Sequence, residues 1–300
     1  MDTLIHALVA DGQARLFAAV TTATVTEAVL RHGTSPTTSA ALGRMLSGAA
    51  LLGASFKDFD RLTVKIDCSG PVQGITAEAT KEGTVRGYVK NPNAETPAKS
   101  NGKFDVRGII GEGTFYVVRE AGFEIGFRPE PYIGSVPIVS GEIAEDFAYY
   151  LAKSEQIPAA VLLGVLLQNS EPYVTAAGGV MVQMLPGAND HLVTMIEDTI
   201  AQAPHVTDLI KEGAAPADLA KMALGDLPFE VLEETAVSFK CTCSLERART
   251  MIAALGADEV RSMLAEEKGA VMTCGFCNEI YQLDEADLEA MLAAEENRSI

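Results

Sequence analysis

Four of the five cysteines in this chain fall into two close pairs. Cys241 and Cys243 sit in FKCTCS (239–244), Cys274 and Cys277 in TCGFCN (273–278), and thirty residues separate Cys243 from Cys274. A C-x-C pair and a C-x-x-C pair at this spacing suit one tetrahedral ion with four thiolate ligands, the donor set of zinc. C-x-x-C brings two sulfurs onto an ion from a tight turn, with Gly275 expected to permit the bend, and C-x-C does so from the end of an extended strand. Zinc draws protons off thiols at neutral pH and holds them as thiolates. The expected metal set is Cys241, Cys243, Cys274 and Cys277, with one zinc per chain.

Such a site has two uses. It can be a closed staple for a small domain, or a device that opens. C-x-C is less usual than C-x-x-C at purely structural sites. The segment beyond Ser238 has only about 60 residues, small enough that loss of a metal could unfold it. Two other chemistries use similar motifs. A thiol–disulfide oxidoreductase needs its C-x-x-C in a βαβ context, with an exposed low-pKa cysteine at a helix N-terminus; here the pair reads as part of a hairpin. A nucleic-acid-binding zinc ribbon needs a basic stripe. Residues 201–300 hold 19 acidic and 8 basic residues, a net of −11, which argues against it.

Other sites do not emerge. His6, His32, His191 and His205 are scattered and form no H-E-x-x-H pattern. Neither G-x-x-x-x-G-K-[ST], G-x-G-x-x-G nor G-x-S-x-G occurs, so no ATP or dinucleotide loop of those types is expected. Cys68, in IDCSGP, stands alone at a strand end and reads as a small hydrophobe without an assigned role. Met181, Met184, Met195 and Met222 lie in or near residues 187–238. Flexible thioethers suit adaptable apolar surfaces as well as ordinary cores.

The elements that must carry the cysteines read as follows. LIHALV and ARLFAAV form a hairpin turning at Asp11-Gly12. Helices are expected at 26–32, ending at Gly33, and at 38–54. Between 61 and 128 the runs LTVKID, GITAEAT, TVRGYVK, VRGII, TFYVVRE and FEIGFR alternate with turn signals and predict an antiparallel sheet. A helix over 140–158, N-capped by Ser140, presents Ile143, Phe147, Tyr150 and Leu151 on one face. AVLLGVLLQ and YVTAAGGVMVQML are two more strands. Short helical pieces at 190–202, 205–212 and 216–224 follow, too short to fold without docking. Strand-like ETAVSFK leads into the cysteines. Beyond them come two helical runs, SLERARTMIAAL and ADEVRSMLAEE, then the hairpin AVMTCGFCNEIYQL and an acidic helix. The fold class is α+β: an antiparallel-sheet and helix core domain over 1–186, a metastable helical linker over 187–238, and a small zinc-binding α+β domain over 239–300.

The formal net charge of −18 over 300 residues repels nucleic acid and anionic membrane surfaces. The N-terminus lacks the basic region of a signal peptide, and the longest apolar run, AAVLLGVLL, is half a membrane span. A soluble, cytoplasmic protein is expected, where thiols stay reduced and paired cysteines mean a metal or redox chemistry rather than a fixed disulfide framework.

With the cysteine pattern, the stretches RGYVKNP (86–92), EPYIGSVPIVSGEIAEDFAYYLAKSEQIP (130–158), AAGGVMVQMLPGA (176–188) and EVRSMLAEE (259–267) make the chain resemble the redox-regulated 33 kDa chaperonin family. The resemblance implies an ATP-independent holdase, not an enzyme. Its reduced, zinc-loaded form is inactive. Its oxidised form loses zinc, unfolds its C-terminal regions, dimerises and holds unfolded client proteins. The family's four zinc cysteines carry over to Cys241, Cys243, Cys274 and Cys277. Four cysteines allow three connectivities. The expected oxidised pairs are Cys241 with Cys243 and Cys274 with Cys277, because local pairing removes the tie across the thirty-residue gap. The acidic stretch from Asp284 onward matches the family less clearly.

Overall fold

The fold was analysed in a computed structural model that describes residues 1–56, 59–100, 102–120, 130–171 and 173–296. The chain divides into two compact units, Met1–Lys240 and Cys241–Ile300.

Two sheets and the helices between them build the first unit. One sheet has the strand order β10-β1-β2-β9-β8, with β1 Thr3–Val9, β2 Ala14–Val20, β8 Ala159–Leu167, β9 Val174–Met184 and β10 Phe229–Ala236. All its pairings are antiparallel. The second sheet runs β11-β5-β4-β3-β6-β7, with β3 Arg61–Cys68, β4 Gly74–Ala79, β5 Thr84–Val89, β6 Gly113–Glu120, β7 Tyr132–Pro137 and β11 Ser238–Phe239. It is antiparallel except where β11 joins β5.

The main core lies between the sheets. Helix α2, Pro36–Ser55, is buried over most of its length and shares this core with Phe17, Met181, Leu62, Val64, Phe115 and Phe147. Its glycines let neighbours come close: a Cβ on Gly48 would stand 2.4 Å from the Phe147 ring. Helix α1, Thr22–His32, ends at Gly33 in the left-handed conformation, as the sequence predicts, but begins four residues before the expected 26. Asp2 is the reason. Its buried carboxylate accepts from Ala23 N, Thr24 N and Thr24 Oγ1, satisfying the first turn from outside the helix.

The opposite face of the first sheet carries a second core. Ile5, Val9, Leu16, Ala18, Val180 and Val182 pack there against α5 Asp190–Gln202, α6 Val206–Lys211 and α7 Pro216–Leu224. These are the three helical pieces expected at 190–202, 205–212 and 216–224. The segment read as a linker is not helical throughout, however. Residues 229–236 form strand β10 on the edge of the first sheet, and 187–238 lies within the first unit.

Local readings differ from the structure at three further points. VRGII, expected as a strand, is a short helix, α3 Val106–Ile110, because Asp105 caps it through Gly108 N while Val106, Ile109 and Ile110 turn into the core. The helix expected from 140 starts later, as α4 Ala144–Lys153. Ser140 does not cap it. The buried Asp146 carboxylate instead gathers the N–H groups of Val139, Ser140, Gly141 and Ile143, at 2.9–3.0 Å. Strand β7 is not among the runs the sequence predicts as strands, and FEIGFR lies outside the described residues.

The second unit follows the expected order: α8 Leu245–Ala253, α9 Ala257–Glu266, β12 Gly269–Thr273, β13 Ile280–Asp284 and α10 Glu285–Glu296. Its core is small. Ile252, Val260, Ala270, Leu283 and Leu288 are its buried members. Asp284 and Asp287 cap α10 reciprocally, and Arg249 on α8 donates to Asp287 at 2.6 Å.

Candidate metal centre

Cys241 and Cys243 follow β11 outside regular secondary structure, just before Ser244 caps α8 by accepting from Arg247 N. Cys274 and Cys277 occupy the turn between β12 and β13, whose register runs from Gly269 opposite Asp284 to Thr273 opposite Ile280. Cys274 N donates to Glu279 O, while Cys277 N and Asn278 N converge on Cys274 O. The sequence assigns this bend to Gly275. The structure instead puts the positive φ, 56°, on Asn278, and a side chain at 275 would meet open space. Asparagine tolerates the left-handed region better than most side chains.

The turn and the strand end bring all four sulfurs together, with Sγ atoms mutually within 4.8 Å. Cys241 lies 3.7 Å from Cys274 and Cys243 lies 3.3 Å from Cys277. A tetrahedron of sulfurs at about 2.3 Å from zinc has edges of about 3.8 Å, which falls between the 3.3 Å pair and the 4.8 Å limit on the rest. All four thiol residues are partly or fully buried, with Cys277 2% exposed. The donor set therefore fits a thiophilic ion held by Cys241, Cys243, Cys274 and Cys277. Among the described residues, no other group of histidine, cysteine and carboxylate side chains closes on a single point in this way.

Burial raises the thiol pKa of Cys243 and pushes that of Cys277 well above the ordinary cysteine range. An ion bound here would reverse that by stabilising the thiolates. Spacing alone missed Tyr281, whose hydroxyl donates to Cys243 Sγ at 3.1 Å. It sits opposite Met272 in the hairpin, and only the register puts it on the sulfur side. The guanidinium of Arg247 is held by Thr242 O and Oγ1, at 3.0 and 2.9 Å.

The C-x-x-C pair lies in a hairpin turn and not at a helix N-terminus, unlike a thiol–disulfide oxidoreductase site. Cys68 is half-buried against the first unit's core, and burial raises its thiol pKa. His6 stacks on Phe17 with ring centroids 4.5 Å apart, and His205 Nε2 lies 3.0 Å from Lys103 Nζ.

The family model described as Hsp33 protein matches residues 2–284. The 33 kDa chaperonin of Listeria welshimeri is 45% identical over 293 residues, covering 97% of this chain and 98% of its own. That of Bacillus subtilis is 43% identical over 292 residues, again 97% of this chain and 98% of its own. The crystal structure of the 33 kDa chaperonin, a heat shock protein 33 homolog, from Thermotoga maritima superposes with a TM-score of 0.89 at 36% identity. That match covers 98% of this chain and 99% of the other. These relatives bear the name of a chaperone and not of an enzyme. The antiparallel sheets, the helices around them and the cysteine cluster agree with the same conclusion: the chain belongs to the Hsp33 family of 33 kDa chaperonins.

Proposed function

We propose that this chaperone is a redox-regulated, ATP-independent holdase whose switch is the four-cysteine centre. The observation that carries the reading is the convergence of four sulfurs from two chain segments within 4.8 Å, in a unit whose hydrophobic cluster is small, centred among the described residues on Ile252, Val260, Ala270, Leu283 and Leu288. So small a core depends on a tie between its halves. Cys241 and Cys243 hold one end of the tie, and Cys274 and Cys277 the other. Zinc bound there supplies a cross-link and keeps the sulfurs as thiolates; in zinc-finger peptides such coordination is worth about 10–16 kcal/mol.

Oxidation by a peroxide converts the four thiolates to two disulfides, which no longer hold a metal ion. Each pair of thiolates gives up two electrons as its disulfide forms, and one hydrogen peroxide takes them with two protons from solvent to become two waters. Pairing Cys241 with Cys243 and Cys274 with Cys277 leaves sulfurs without thiolate charge and no bond between the two segments. A disulfide across the gap would retain a tie worth about 3.7 kcal/mol, whereas one within a pair constrains a loop worth only about 1.6 kcal/mol before ring strain. Residues 239–300 then unfold, and 187–238 loses its hold.

Helices α5–α7 have 13, 6 and 9 residues, at or below the length that is stable in isolation. Their release uncovers the apolar sheet face of Ile5, Leu16, Val180 and Val182 together with the helices' own apolar side chains, including Met222. Met195 is already 38% exposed. Unfolding client proteins are the partners, the oxidised form is a homodimer, and the compartment is the cytoplasm. Net charge and the absence of a phosphate-binding loop motif support a role without nucleic acid or nucleotide. Among the described residues no helix is long and apolar enough to cross a membrane.

The test is light scattering from a thermally unfolding client, with reduced and with peroxide-oxidised protein, in the absence of nucleotide. Suppression by the oxidised protein alone is expected. Equal suppression by both forms while both are folded overturns the redox control, and a strict nucleotide requirement overturns the holdase assignment.

A further inference from the structure

The segment that lets go in this reading includes a strand. Residues 229–240 run as a strap along the first unit and end one residue before Cys241. Strand β10 pairs with β1 over seven positions, from Thr3 opposite Ala236 to Val9 opposite Phe229. Ala10 N to Pro228 O and Val237 N to Asp2 O, each 3.0 Å, close the ladder at its ends. The strap then crosses to the other sheet, where Ser238 N and Lys240 N donate to Gly83 O and Val85 O.

Side chains hold β10 only weakly. Six of its eight residues are exposed, Val231 and Leu232 among them at 43% and 52%. The register shifts between His6 and Ala7, so Leu232 has no partner on β1. What holds β10 is mainly backbone hydrogen bonding, which any extended chain can supply. By contrast β1 is anchored: Leu4, Ile5, Ala7 and Val9 are buried, and β2 pairs along its other edge.

We propose that β1, once β10 has left, captures an extended segment of the unfolded client as a replacement edge strand. The proposal rests on the holdase reading and adds to it a specific seat. The exchange remakes the bonds it breaks, strand for strand, so it is nearly neutral in backbone hydrogen bonding. It also disposes of an exposed edge, which would otherwise invite aggregation. The edge is continuous with the apolar face that α5–α7 cover: β10 residues opposite Ile5, Ala7 and Val9 share that side, and Phe229 packs on its core. The segment that fits is therefore extended, about seven residues long, and apolar at alternate positions on one face, with no fixed sequence. Recognition through the backbone suits a protein that must hold unrelated clients.

Hydrogen exchange on the full chain tests this. The samples are reduced protein, oxidised protein, and oxidised protein with reduced and carboxymethylated α-lactalbumin as a permanently unfolded client; client aggregation is followed in parallel. The amides of Thr3–Val9 that point to β10 are expected to lose protection about tenfold or more on oxidation and to regain it with the client. The alternate amides, bonded to β2, stay protected throughout. Excess peptide with the sequence PFEVLEETAV, residues 228–237, should release the client and protect the same amides itself. If oxidised protein suppresses aggregation while these amides stay protected without client, or stay open with it, the edge proposal is wrong and the holdase reading stands. Client that stays bound while the peptide occupies β1 also overturns it. Protection that returns without client and rises with protein concentration assigns the edge to a second copy's β10 and overturns it too. No suppression by oxidised protein at all overturns the holdase reading itself.

Discussion

Gly164 on β8 lies directly opposite Gly178 on β9, and together they form the seat of helix α6. A Cβ on Gly164 would stand 2.7 Å from Thr207 Cγ2 and 2.8 Å from Val206 Cγ2; one on Gly178 would stand 2.7 Å from Ile210 Cδ1. The missing side chains let a six-residue helix approach the sheet closely enough to bury Val206 and Ile210.

Gly164→Val should push α6 off this seat. The clash is with side chains of α6, whereas Gly178→Ala would also strike the Ala19 carbonyl 2.3 Å away and disturb β2. Overpacking of this kind costs about 1–3 kcal/mol. The expected result is faster hydrogen exchange in 206–211 with exchange in β9 unchanged, and client holding at lower oxidant doses. Unchanged exchange in 206–211 would show that the glycine pair does not seat the helix.

Reduced protein should carry one zinc per chain by metal analysis, and the variant with Cys241, Cys243, Cys274 and Cys277 all replaced by serine should carry none. A strong chelator should melt the second unit and free the edge strands β10 and β11 while leaving β1–β9 paired, since the small core of the second unit lacks the means to stand alone. Stoichiometric zinc in the four-serine variant would refute the assignment.

Peptide mapping after peroxide should recover Cys241 linked to Cys243 and Cys274 linked to Cys277. In the folded unit Cys241 Sγ is 3.7 Å from Cys274 and Cys243 Sγ 3.3 Å from Cys277, so cross-gap bonds are within geometric reach. Recovery of those bonds, with exchange protection retained across 239–284, would mean that oxidation locks the unit and does not open it.

Glu142 ties α2 to the chain before α3 by accepting from Arg44 at 2.8 Å and from Lys99. Burial raises its pKa, but the hydrogen bonds from Lys99 and Arg44 outweigh that and hold the carboxyl below its ordinary value. A depressed carboxyl contributes stability that is fully present above its unfolded pKa, about 4.3, and is lost as pH falls through the lower folded value. Glu142→Gln should lower the stability of the first unit at neutral pH and flatten its acid limb. An acid limb identical to that of the parent protein would remove Glu142 from the acid response.

Asp146 is fully buried, with its charge met by the N–H groups of Val139, Ser140, Gly141 and Ile143. Asp146→Ala strands these donors, each costing about 1–3 kcal/mol if it finds no new partner. A loss of several kcal/mol in denaturant unfolding of the first unit is expected. A loss below about 1 kcal/mol would mean that water replaces the carboxylate.

The sequence by itself determined the elements whose signals are local. The 1–20 hairpin, the Gly33 stop, the helices from 190 to 224 and the order of elements past Cys241 follow from periodicity and caps that neighbours in the chain supply. It also singles out the four cysteines whose sulfurs the fold gathers within 4.8 Å, because two cysteine pairs at this spacing have few other uses. Tertiary structure decided what depends on distant partners. Asp2 extends α1 by its first turn, and Asp146, not Ser140, organises the entry to α4. Tyr281 reaches Cys243 only through the register of a hairpin, and the left-handed turn residue proves to be Asn278. Only the end of 229–236 falls in the strand-like ETAVSFK, and the acidic residues before it carry no strong strand signal; they become β10 because β1 offers an unpaired edge. Edge pairing is a property of two segments more than 200 positions apart, and a one-dimensional pattern carries no record of it.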